Sequence, residues 1–135
     1  MSHPIIALQG GLVAALRADA VLTGLIGADA VFDAPPKGKS APYVLIARHD
    51  LLPRDGDDTP GYEHRLLLHA WASGSSRKAV LAIVDRVVEV ALTAELDGGG
   101  VVVTSRAHER TDTAIDLDSG RARAAIMLRV FSEPA

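Results

Sequence analysis

EHRLLLHAWASGSSRKA, residues Glu63–Ala79, decides how this chain is read. It holds two histidines, a tryptophan and the serine pair Ser75–Ser76, so it could be a polar site or a strand entering a helix. In an extended chain, successive side chains point to opposite faces. His64 and His69 lie five residues apart, so they face opposite sides and cannot share a metal. Ser75 and Ser76 lack the G-x-S-x-G setting of a nucleophile. They stand instead before an apolar-periodic run, where a hydroxyl caps a helix. The stretch reads as architecture: a strand through YEHRLLLHAWA, then a helix over about Arg77–Leu96. Val80, Val84, Val87 and Ala91 line one face of that helix, and Ile83 and Val88 widen it. DGGG ends it.

Downstream, VVVTSRAHERT and RARAAIMLRVF read as two strands joined by an acidic loop, TDTAIDLDSG. The last strand alternates, with Ala122, Ala124, Ile126, Leu128 and Val130 on one face and Arg121, Arg123, Ala125, Met127 and Arg129 on the other. Upstream, PYVLIARH is a strand, separated from YEHRLLLHAWA by a polar loop from about Leu51 to Gly61. VFD is a brief extended piece, and APPKGKSAP is a loop. Pro4 suits the first turn of a helix running to about Ala18, with Ile5, Leu8, Leu12 and Leu16 at helical spacing. Gly10 and Gly11 in its middle each cost roughly 1 kcal/mol against alanine, which predicts another element approaching closely there. Asp19 caps a second short helix, AVLTGLIG, stopped by Gly27. The expected fold is α+β in one domain over 1–135. A mainly antiparallel sheet of about four strands carries the N-terminal helix and the long helix on one face.

The chain has 135 residues, 48% hydrophobic but only 4% aromatic, so its core is built from Val, Leu, Ile and Ala. It has no cysteine, which excludes disulfides, thiolate nucleophiles and cysteine-based zinc sites. A net charge of −3 argues against a general polyanion binder. The A-x-A after Arg17 does not make a signal peptide, because no basic residue precedes the apolar run. No apolar run reaches the ~20 residues that span a membrane.

The remaining polar motifs fail on spacing. Gly38–Ser40, GKS, has Asp33 where a phosphate-binding loop needs glycine and is followed by a strand. DLDSG has acids at the first and third calcium-loop positions, but Gly120 at the fifth and Met127 at the twelfth. RDGDD reads as a solvated loop. His108, Glu109 and Arg110 alternate faces and do not converge, and neither His3 nor His49 has a ligand partner at useful spacing. Trp71 belongs to core or interface. No catalytic residue, metal site or cofactor site is expected.

The ordered set ALRADAVLTGLIG–VFD, APYVLI, H-x-L-x-L-x-x-W before SRKAVLAIVDRVVEVAL, and RARAAIMLRVF resembles the tail-terminator, or tail-completion, proteins. These serve long-tailed phages and gene transfer agent particles. The resemblance implies a structural protein without enzymatic activity, assembled in the bacterial cytoplasm and carried in the particle tail. It implies a ring of itself, usually six subunits, seated on the tail tube protein, stopping tube growth and facing the head–neck connector protein. DNA would pass through the bore without specific binding. A bore should not grip phosphates, which makes Asp55, Asp57 and Asp58 candidates for its lining or rim. Arg106, Arg110, Arg121, Arg123 and Arg129 are candidates for subunit or tube contacts. The loop from Leu51 to Gly61 is expected to be ordered by neighbouring subunits. Another neck or tail-tube component, and more distantly a small enzyme, are the alternatives.

Overall fold

Three polar side chains set the helices. The computed structural model describes residues 3–56, 60–97 and 99–135. Helix α1, Pro4–Ala18, opens with its proline and with the His3 ring nitrogen accepting from the Ile5 amide at 3.1 Å. Asp19 caps α2, Ala20–Ile26, accepting from the Leu22 amide at 2.9 Å, and Gly27 ends it at φ 90. Ser76 caps α3, Arg77–Thr93, accepting from the Ala79 amide at 3.0 Å. Arg86 of α3 donates to both oxygens of Asp19 at 2.8 Å, tying α3 to the α1–α2 corner. Those hydrogen bonds, chiefly, hold the Asp19 carboxyl at about 2.

Helix α3 stops at Thr93, short of Leu96. The Arg106 guanidinium donates to the carbonyls of Ala91 and Ala94, satisfying acceptors that the helix end leaves open. The freed chain turns Leu96 into the core, where it is buried. Its carbonyl lies against α1, and a Cβ on Gly11 would overlap it. The close approach expected at the glycine pair is therefore found at Gly11 alone. Gly10 faces open space.

Among the described residues five strands form one sheet: β1 Val31–Phe32, β2 Tyr43–Pro53, β3 Tyr62–Trp71, β4 Val101–Ile115 and β5 Ala122–Pro134, in the order β1-β2-β3-β5-β4. Only β1, the brief VF piece, runs parallel to its neighbour, which makes the sheet mixed but mainly antiparallel. Two loops are shorter than the sequence suggests. Strand β2 continues to Pro53, opposite Tyr62, and β4 continues through TDTAI to Ile115, opposite Ala122. A cross-strand partner gives these polar residues a ladder that local composition does not reveal. What remains of the acidic loop is a turn, with the Asp116 carboxylate accepting from the Ser119 amide and hydroxyl.

Helices cover one face. Leu66, Leu68 and Ala70 of β3 and Ala122, Ala124, Ile126, Leu128 and Val130 of β5 pack there with Leu8, Leu12, Leu16, Val80, Val84 and Val87. The other face carries Arg65, Leu67, His69 and Trp71 of β3 beside Arg123, Ala125, Met127 and Arg129 of β5, and among the described residues no helix packs on it.

Candidate functional site

The register of β2 against β3 builds a polar chain under the helices. His49 and His64 sit on the core side, and their rings meet at 2.8 Å, Nε2 to Nδ1. Gln9 of α1 approaches His49 Nδ1 at 3.2 Å, and His64 Nε2 lies 2.8 Å from the Ser132 hydroxyl. With the Gln9 amide nitrogen donating, His49 donates onward to His64 and His64 to Ser132, so each ring holds one proton and no charge. Burial is the main cause that lowers both histidines to about 4. The sequence reading left His49 without a partner; the β2–β3 pairing supplies one, at a separation no spacing rule detects. His64 and His69 do face opposite sides, and burial first, then Arg123, lowers His69. Among the described residues no three His, Asp or Glu side chains are grouped to hold a metal ion.

The open face carries a second cluster. Glu63 is fully buried, capped by Arg65 Nε at 2.8 Å, Arg54 Nε at 3.0 Å and Arg129 Nε at 3.0 Å. Hydrogen bonds from Arg129 and Arg65 hold its carboxyl at about 2. Three guanidinium groups against one carboxylate leave two net positive charges, 3 − 1 = 2, on a half-exposed surface. Arg129 also lies over the Phe131 ring, 4.9 Å from its centre. The sequence reading missed Glu63, Arg54 and Arg65. The Glu63–Arg65 same-face spacing was a signal, but the Arg129 contact needs the β3–β5 register.

The five arginines named from sequence do not form one patch. Arg106 turns to the helix side and caps α3. Arg110 pairs with Asp112 at 3.1 Å on β4, and Arg123 reaches the same carboxylate at 3.9 Å. The Arg123 Nε is buried and among the described residues has no hydrogen-bond partner, beside a groove of about 420 Å³ that Trp71, Ile115 and Asp118 help to line. Arg129 joins the Glu63 cluster, and Arg121 stands at the base of the β4–β5 turn. Asp55 accepts from the Gly61 amide at 3.4 Å. Asp57 and Asp58 lie outside the described residues.

A small α+β protein with a neutral histidine pair, guanidinium-saturated carboxylates and an uncovered sheet face has the makings of a structural subunit. The chain belongs to the family described as Tail completion protein gp17, whose profile matches residues 10–132. It is thus a tail completion protein, a structural component of a phage-type tail. No curated protein sequence matches it. Among solved structures, a chain in the virion of a native gene transfer agent (GTA) particle superposes with a TM-score of 0.84 at 24% identity, over 98% of this chain and 99% of that one. The bacteriophage SPP1 gp17 protein superposes with a TM-score of 0.61 at 22% identity, over 93% and 88%. At these identities the two structures speak for the fold.

Proposed function

We propose that the chain forms a closed ring, of six subunits, that caps the tail tube of a phage or gene transfer agent particle. The ring ends tube growth and offers its other face to the head–neck connector, and it performs no catalysis. The observation that carries this reading is the family match across residues 10–132. The polar side chains are consistent with it: Glu63, Asp19 and Asp112 are engaged by arginines, and His49 and His64 by each other. Asp55, with Asp57 and Asp58, lines or rims the bore, where like charge keeps DNA from sticking. Replacing all three with serine leaves assembly intact and slows DNA delivery; unchanged delivery removes that role.

Light scattering on the purified chain, alone and with its tail tube protein, tests the main reading. The expected species is a ring, formed by the chain alone or on tube ends, with tube length arrested. Polymerisation of this chain into tubes would make it a tube component instead. A chain indifferent to tubes would end the proposal.

A further inference from the structure

Two features at opposite edges of the sheet have no partner among the described residues of the chain. The first is the β4–β5 turn. Hydrogen bonds frame it: Gly120 at φ 72 donates to the Asp116 carbonyl, the Asp116 amide donates to the Arg121 carbonyl, and the Asp116 carboxylate holds Ser119. At its tip Leu117 is 97% exposed. The second is a groove of about 390 Å³ between α1 and β1, lined by Ile6, Gly10, Val13, Ala14 and Phe32, with Arg17 and Asp33 at its polar positions. Ile6 is 61% exposed, and Gly10 is a mid-helix glycine with nothing near its absent side chain.

We propose that the Leu117 tip of one copy of this chain docks in the α1–β1 groove of a second copy. The tip belongs to the β4 edge and the groove to the β1 edge, four strand spacings or roughly 19 Å apart, so they cannot meet within one chain. Charge sets the pairing. The groove offers Arg17, whose guanidinium donates to the Val31 carbonyl, and Asp33; the turn offers Asp118 and Arg121. None of these four is in an ion pair among the described residues. Arg17 against Asp118 and Asp33 against Arg121 satisfy all four while Leu117 leaves water. Because two different surfaces meet, each copy has one of each free, which is the head-to-tail contact that can close into a ring. The inference thus deepens the ring reading and rests on it for the closure, though not for the contact.

The chain has no native cysteine, so disulfide trapping is clean. Both test positions are open to solvent, so the full-length variants Gly10→Cys and Leu117→Cys keep the fold. Mixed under mild oxidation, they are expected to give a cross-linked dimer that neither gives alone, and the double variant a series of larger species. A Leu117→Cys and Leu81→Cys mixture is the control, and adding Asp118→Arg to the Leu117→Cys chain abolishes the cross-link until Arg17→Asp on the Gly10→Cys chain restores it. No cross-link above that control overturns the proposal. If light scattering still finds rings, the contact falls and the ring reading stands; a 10–117 cross-link without any tube capping sinks the capping reading and leaves the contact.

Discussion

Lowering the pH from 7 to 5 should remove a calculable part of the stability, and the His49–His64 pair is the reason. The unfolded chain takes up a proton on each ring near 6.5, whereas the folded chain resists until about 4. The unfolded state then binds more protons, so stability is complete above 6.5 and declines as pH falls toward 4. For His64, shut off from water, the loss between pH 7 and pH 5 is about 2 kcal/mol. His49 is partly exposed, and solvent screening roughly halves its share to about 1 kcal/mol. Together they amount to ~3 kcal/mol, or roughly 10 °C in Tm for a chain of this length. Asp19 and Glu63, both at about 2 when folded, stay ionised across this window and enter only below it. The assay is thermal unfolding followed by circular dichroism on dilute protein at pH 7, 6 and 5. A variant carrying His49→Phe and His64→Leu should be less stable at pH 7 and fall much less steeply, keeping only the decline that His69, also lowered by burial, contributes. A wild-type Tm that does not move, or a variant that falls as steeply, refutes the reasoning.

The glycine pair should split. Gly11→Ala meets the Leu96 carbonyl and should lower stability by about 1–3 kcal/mol, while Gly10→Ala, in open space, should raise it by about 0.5–1 kcal/mol; urea unfolding of both variants reads the opposite signs. Arg106→Ala frees the Ala91 and Ala94 carbonyls at the end of α3 and should cost about 1–3 kcal/mol, seen as early amide exchange in the last turn of that helix before the rest of the chain opens. Arg106→Ala with unaltered exchange there would mean water caps the helix as well.

Periodicity and end signals carried most of the secondary structure. Pro4, Asp19, Gly27 and Ser76 act within a few residues, and the alternation from Ala122 to Val130 reports burial through neighbours of the same strand. Local signals of that kind do not need the fold. The polar residues required it. Whether TDTAI is loop or strand depends on Ala122 lying across from Ile115. Whether Glu63 is a surface carboxylate or the buried centre of three arginines depends on β5 lying beside β3. His49 and His64 become partners because two antiparallel strands fall into one register. Arg106 shows the limit most sharply: in the sequence it is one more exposed strand arginine, and in the fold it ends a helix. By itself the sequence determined the helices, the apolar middles of the strands and which faces are apolar, since those follow from spacings of two to four residues. Tertiary structure alone decided which charges meet, because hydrogen bonds and ion pairs act over about 3 Å and join residues far apart in the chain.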